Sequence, residues 1–133
     1  MESVKELKER VKHLKVLFVD DEEDVREGNG IFLRKFFDDV TVCSDGQDGY
    51  DEFKQQEGFD VVITDIKMPI MNGVEMVKKI KELDSNVFTV FLTASNSLLA
   101  GQEKIADLCF QKPLSFEDMI EVLSNLEVVK CQH

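Results

Sequence analysis

Two kinds of apolar run alternate along the chain. Short, continuously apolar stretches lie at residues 15–19 (KVLFV), 40–43 (VTVC), 61–64 (VVIT) and 87–92 (VFTVFL), with a shorter one at 108–110 (LCF). They predict strands covered on both faces, because a strand with one wet face alternates apolar and polar positions instead. Between them, apolar residues recur at helical spacing. Residues 22–37 carry Val25, Phe32 and Phe36; 73–83 carry Val74, Val77 and Ile80; 116–126 carry Phe116, Met119, Ile120, Leu123 and Leu126. Ser115 is placed to cap the last helix, with Asp118 three residues on and Pro113 just before. Weaker helical patterns at 45–55 and 96–104 complete the alternation.

Strands alternating with helices predict an α/β fold: a doubly wound, five-stranded parallel sheet with helices on both faces. Ligands of such folds sit beyond the carboxyl ends of the strands. Residues 1–14 stand outside the pattern. Val4, Leu7, Val11 and Leu14 have 3-4-3 spacing, which predicts an amphipathic helical extension that caps its own domain or ends a coiled coil. The main domain is expected over 15–127, with a frayed tail over 128–133 and no second domain. Within residues 22–37, Gly28 and Gly30 interrupt the helical pattern; each interior glycine costs about 1 kcal/mol against alanine. Close packing at one of them is the simpler reading, a hinge the other.

The 133 residues suit one domain, and 43% hydrophobic content is ordinary for a globular chain. The charge is not ordinary: 16 basic against 27 acidic side chains leave a formal net charge of −11. Such a surface repels phosphate backbones and anionic lipid, so neither nucleic acid nor membrane is an expected partner. Cys43, Cys109 and Cys131 are odd in number and form no CxxC, which argues for reduced thiols and a cytoplasmic location. No run approaches a membrane span and the start is too charged for a signal peptide.

The chemistry lies where polar residues interrupt the strand ends. The first strand runs into Asp20 and Asp21, the third into Asp65, the fourth into Thr93, and the fifth leads to Lys112-Pro113. A parallel sheet gathers them on one edge. Three crowded carboxylates repel one another unless cations offset them. Lys112 is one such cation; a hard divalent metal is the other. Mg²⁺ takes oxygen ligands, and Asp21, Asp65 and the backbone carbonyl of Lys67 can supply three, with Asp20 acting directly or through water. Asp65 then becomes a nucleophile toward phosphorus. Charge on the transferring group would be met by the metal, by Lys112 and by the Thr93 hydroxyl. Singly, each residue has a plainer reading: helix caps for Asp20 and Asp21, a turn for Asp65, strand packing for Thr93, surface charge for Lys112. Their joint placement is what those readings leave unexplained.

The segments VLFVDDEEDVR (16–26), VVITDIKMPIMNG (61–73), VFLTAS (90–95) and QKPLS (111–115) together resemble the receiver domains of two-component response regulators, including the single-domain chemotaxis regulator. The resemblance spans about residues 15–127. It implies a flavodoxin-like sheet in the order 2-1-3-4-5, with Asp65 as the phosphorylated aspartate. Asp20 and Asp21 match the acidic pair, Asp21 as the direct metal ligand. Thr93 matches the hydroxyl that moves toward the phosphoryl group. Lys112 matches its pairing lysine, with a cis bond to Pro113. It also implies Mg²⁺ as cofactor and a domain that catalyses its own phosphorylation and dephosphorylation. The donor would be a phosphohistidine on a sensor histidine kinase or a histidine phosphotransfer protein. Output would pass through protein–protein contact, with a homodimer among the arrangements open to it. Neither His13 nor His133 is placed to be an internal donor.

Two departures stand out. Cys109 occupies the position where such domains carry a large ring, and Phe110 is expected to face the core instead. The stretch from Thr93 to Lys112 is about one helical turn short, with Ile105 in place of a glycine, so the fourth helix is expected to be short or irregular and signal transmission unusual. A degenerate receiver acting only as an interaction or dimerisation module is the alternative. An aspartate-nucleophile phosphatase would need a second carboxylate where Ile66 and Lys67 stand, and a flavin site would not tolerate Asp20 and Asp21. The leading helix points to attachment to a longer protein, the missing output region to independence.

Overall fold

The computed structural model describes residues 3–94 and 102–131. In chain order the elements are α1 (Val4–Val11), β1 (Lys15–Val19), α2 (Glu23–Arg34), β2 (Asp39–Cys43), α3 (Gly46–Gln55), β3 (Val61–Asp65), α4 (Gly73–Leu83) and β4 (Phe88–Thr93). A 3-10 turn (Gln102–Ile105), β5 (Leu108–Gln111), α5 (Phe116–Leu126) and a π-helical turn (Glu127–Cys131) follow. The five strands form one parallel sheet in the order β2-β1-β3-β4-β5, the order the resemblance implied.

The continuous apolar runs are explained by position. β1, β3 and β4 are interior strands with almost every side chain buried, whereas β2 and β5 form the edges and stay partly exposed. Successive side chains leave opposite faces of a strand. Val16, Phe18, Ile63, Val90 and Leu92 therefore meet Leu33 of α2 and Met119, Val122 and Leu123 of α5. Leu17, Val19 and Val62 point the other way, onto Met76 and Ile80 of α4 with Tyr50 and Phe53 of α3 alongside. On β5 the same rule separates neighbours: Phe110 packs with the α2–α5 layer, while Cys109 joins Phe91, Val77 and Ile66 on the opposite face.

Serine or asparagine caps open three helices, each answered by an acidic side chain three residues on: Ser3 with Glu6, Asn72 with Glu75, Ser115 with Asp118. Such reciprocal boxes satisfy two orphan amides at once. α2 runs unbroken through Gly28 and Gly30. A Cβ on Gly30 would approach Arg34 at 3.3 Å and Val42 at 3.7 Å, whereas one on Gly28 would meet nothing within 4 Å. Only Gly30 is a packing position. The helix ends at Arg34 rather than 37, its last residues tightening as Phe36 and Phe37 both bond back to the Leu33 carbonyl.

Two expectations meet a different chain path. Residues 128–131, expected to fray, instead prolong α5 as the π turn. The reason is electrostatic as well as apolar: Glu127, only 8% exposed, ion-pairs with Arg10 at 3.1 Å. α1 itself buries Leu7 and Val11, with Leu14 just beyond, in the α2–α5 layer. The helix expected over 96–104 lies mostly outside the described residues; its end forms the 3-10 turn.

Candidate functional site

The register of the sheet decides which side chains meet. Asp20 follows the last residue of β1 and stays extended, its amide bonding to the Cys43 carbonyl at 3.2 Å. Asp65 closes β3 opposite Leu92 of β4, and Thr93 closes β4 opposite Gln111. Lys112 comes next, its amide donating to the Thr93 carbonyl at 2.8 Å, and its bond to Pro113 is cis. The carboxyl edge thus carries Asp20, Asp21, Asp65, Thr93 and Lys112, as the strand ends predicted.

Their geometry is that of a shared cation. The Lys112 ammonium lies 3.0 Å from Oδ2 of Asp65 and 3.1 Å from Oδ2 of Asp20, with exposed Glu22 at 4.0 Å. Each carboxylate has its other oxygen pinned. Oδ1 of Asp65 accepts from the Ile66 amide at 2.8 Å, and Oδ1 of Asp20 from the Glu22 amide at 2.9 Å. The Asp20 bond closes the turn before α2 but does not cap that helix, whose N-cap, Glu22, has no side-chain capping bond. Burial pushes the Asp65 carboxyl above the usual carboxylate range; Lys112 pulls it back, and Asp20 raises it further. For Lys112, burial opposes the charge, but its pairs with Asp65 and Asp20 prevail and hold the ammonium above its usual range.

Oxygens of Asp20, Asp21 and Asp65 all lie within 4.8 Å of one another. Asp20 is fully buried, Asp65 nearly so, and Asp21 is exposed at the mouth. Oδ2 of Asp20 is buried, with the Lys112 ammonium 3.1 Å away as its charged neighbour. An all-oxygen cluster of three carboxylates facing that single ammonium fits a hard dication. Lys67, two residues past Asp65, is exposed. Thr93 is 9% exposed, and its hydroxyl donates to the Ala94 carbonyl at 2.7 Å rather than toward Asp65.

Three neighbours escaped the sequence reading. Arg26 donates from Nη1 to the Asp20 backbone carbonyl at 2.9 Å, steadying the turn into α2. Gly73 bonds to the Ile66 carbonyl, and a Cβ there would lie 2.1 Å from the Asp65 carbonyl oxygen. Glycine is what lets the loop fold back under Asp65. Ile70 has φ 72° and is bracketed by a Met71 amide bond to the Pro69 carbonyl, a γ-turn of the strained, positive-φ kind. The glycine of MNG was a legible signal; the strained isoleucine was not.

A parallel sheet in this order, with an acidic trio and a lysine at its carboxyl edge, defines a receiver-type architecture. The family model described as the response regulator receiver domain matches residues 16–124, and the chain belongs to that family. It is 34% identical over 116 residues to the transcriptional regulatory protein TrcR of Mycobacterium tuberculosis, covering 85% of this chain and 45% of TrcR. The two-component response regulator ORR42 of Oryza sativa is 35% identical over 115 residues, covering 85% of this chain and 86% of ORR42. The chain thus spans about half of TrcR but most of ORR42. Among solved structures, the Thermotoga maritima response regulator TrrA, in complex with Mg²⁺-BeF, superposes with a TM-score of 0.75 at 25% identity, over 85% of this chain and 98% of TrrA. The receiver domain of Saccharomyces cerevisiae Ssk1, co-crystallised with the histidine phosphotransfer protein Ypd1, shares the fold. It has a TM-score of 0.79 at 21% identity, over 91% of this chain and 93% of that one. Among the described residues, no helix is long and apolar enough to cross a membrane.

Proposed function

We propose that this domain accepts a phosphoryl group on Asp65 from a protein phosphohistidine, in a reaction that needs Mg²⁺, and signals through protein contacts in the cytoplasm. The observation that carries the reading is Lys112 lying within 3.1 Å of both Asp20 and Asp65, in a cluster whose third carboxylate, Asp21, lies within 4.8 Å of the other two. Asp20, Asp21, Asp65 and the Lys67 carbonyl would hold the metal. Bound there, Mg²⁺ supplies positive charge to the oxygens of the transferring group.

The protein's own residues do the rest. The carboxylate of Asp65 forms the new P–O bond as the P–N bond to the donor imidazole breaks, and the departing ring keeps the electron pair. The Ile66 amide fixes the orientation of that carboxylate. The Lys112 ammonium, already 3.0 Å from Asp65, stays to neutralise a phosphoryl oxygen. Thr93 can donate to another only after its hydroxyl leaves the Ala94 carbonyl, so a rotation of this side chain accompanies phosphorylation. The donor is a sensor histidine kinase or a histidine phosphotransfer protein; the co-crystal of Ssk1 with Ypd1 supports the latter class.

Incubation with acetyl phosphate and Mg²⁺ tests the reading. The intact protein should gain the mass of one phosphoryl group, and Asp65→Asn or removal of the metal should abolish the gain. An unmodified wild-type protein would instead mark the domain as an interaction module.

A further inference from the structure

Among the described residues, the buried polar side chains are Asp20, Asp65 and Thr93 of the carboxyl edge, Thr89 bonded to Asp107, Glu127 paired with Arg10, and Thr64. Thr64 is fully buried on β3, between Val19 of β1 and Phe91 of β4, both also fully buried. By strand alternation it shares a face with Val62, in the apolar layer of Met71 and Met76. Valine has the same shape and would serve that layer without burying a hydroxyl. The use of the hydroxyl is therefore read from where it points. Oγ1 donates to the backbone carbonyl of Asp65 at 2.8 Å, with the Met68 sulfur 4.0 Å away.

That carbonyl belongs to the peptide plane joining Asp65 to Ile66. The other end of the same plane is the Ile66 amide, which donates to Oδ1 of Asp65 at 2.8 Å. A peptide unit is rigid, so its carbonyl and amide turn together. Holding the carbonyl holds the amide, and the amide holds the carboxylate. With Oδ1 pinned, Oδ2 faces Lys112 at 3.0 Å. The following peptide plane is fixed as well, because the Gly73 amide bonds to the Ile66 carbonyl at 2.8 Å. We infer that Thr64 is a positioning residue, whose hydroxyl sets the orientation of the Asp65 carboxylate through the Asp65–Ile66 peptide plane. The inference rests on the reading of Asp65 as the nucleophile toward phosphorus. Transfer to a carboxylate needs one oxygen aimed at the phosphorus, and orientation of this kind is a large part of what such a site contributes to rate.

Three substitutions in the full chain test it. Thr64→Val keeps the side-chain shape and removes the donor, Thr64→Ser keeps the donor and removes the methyl, and Thr64→Ala removes both. In the ¹⁵N-labelled protein with EDTA present, the Ile66 amide should exchange with solvent about tenfold faster in both hydroxyl-free variants than in wild type, the factor expected for one lost hydrogen bond. Thr64→Ser should stay within about twofold of wild type. With acetyl phosphate and Mg²⁺, the maximal labelling rate of the hydroxyl-free variants should fall about tenfold, while the half-saturating acetyl phosphate concentration changes by less than about twofold. Thr64→Ser should restore the rate. Wild-type exchange and labelling in Thr64→Val would overturn the assignment, as would a Thr64→Ser protein that labels as slowly as Thr64→Val. A lowered urea midpoint with labelling unchanged would likewise overturn it, leaving Thr64 a packing residue. A wild-type chain that takes up no phosphoryl group would remove the phosphoacceptor reading instead, and Ile66 exchange would still decide whether Thr64 holds that peptide plane.

Discussion

Nζ of Lys112 lies 3.0 Å from Oδ2 of Asp65, and with only 17% of the lysine side chain and 9% of the aspartate side chain exposed, the pair is largely shielded from water. The same ammonium serves Asp20, so one cation balances two buried carboxylates. Removing one partner of a buried ion pair leaves uncompensated charge and typically costs about 3–5 kcal/mol. Lys112→Met should therefore lower unfolding stability by about 3 kcal/mol in urea titrations with EDTA present. Mg²⁺ should restore part of the loss, because a dication in the acidic cluster takes over the balancing charge. A variant as stable as wild type in EDTA would show that the lysine does not balance the two carboxylates.

Replacing Asp65 has the opposite sign. Its carboxyl titrates above the usual range chiefly because it is buried, so the fold favours the protonated form. The resulting penalty is absent at low pH. It grows as pH rises from the ordinary carboxylate range through the raised folded value, and is complete above both. Asp65→Asn removes the charge while Lys112 keeps Asp20. At pH 7 without metal, the variant should melt higher by about 4 °C, corresponding to about 1 kcal/mol. The advantage should shrink as the buffer is taken down through the carboxylate range. Melting curves across pH measure both the sign and the window.

Metal should act through the same carboxylates. A ligand that binds only the folded state stabilises it by about 2.7 kcal/mol at a hundredfold excess over its dissociation constant. Mg²⁺ should thus raise the wild-type melting temperature in a saturable manner. Asp21→Asn should remove most of that gain with little effect in EDTA, since Asp21 is exposed at the mouth and its oxygen completes the cluster with Asp20 and Asp65. Equal responses in both proteins would place the metal elsewhere.

Much of this was readable before any coordinates. The apolar runs marked interior strands because both faces are covered, and the polar residues ending those runs had to converge once the strands were parallel. What resisted reading depends on contacts between distant segments. Nothing in EVVKC signals a π turn; it forms because Glu127 finds Arg10, 117 residues earlier in the chain. Nor does the VFLTAS segment reveal where the Thr93 hydroxyl points, which is settled by the adjacent Ala94 carbonyl. Ile70 in a positive-φ turn contradicts its own backbone preference, and local propensity would have placed a glycine there.

The glycines offer a test of how far local space predicts stability. Gly28 sits inside α2 where a Cβ would meet nothing within 4 Å, so Gly28→Ala should recover the helix-propensity difference, about 1 kcal/mol. Gly73 also lies in a helix, at the first position of α4, yet a Cβ there would fall 2.1 Å from the Asp65 carbonyl oxygen. Backbone cannot yield as a side-chain tip can. Gly73→Ala should therefore destabilise by about 3 kcal/mol, the upper end of ordinary overpacking. It should also slow labelling by acetyl phosphate, because the strand end that aims Asp65 must shift to admit the methyl group. Gly28→Ala should label at the wild-type rate. Urea midpoints and acetyl phosphate time courses on the two variants separate helix propensity from the geometry of the loop behind Asp65; a Gly73→Ala protein with wild-type stability would remove the steric argument.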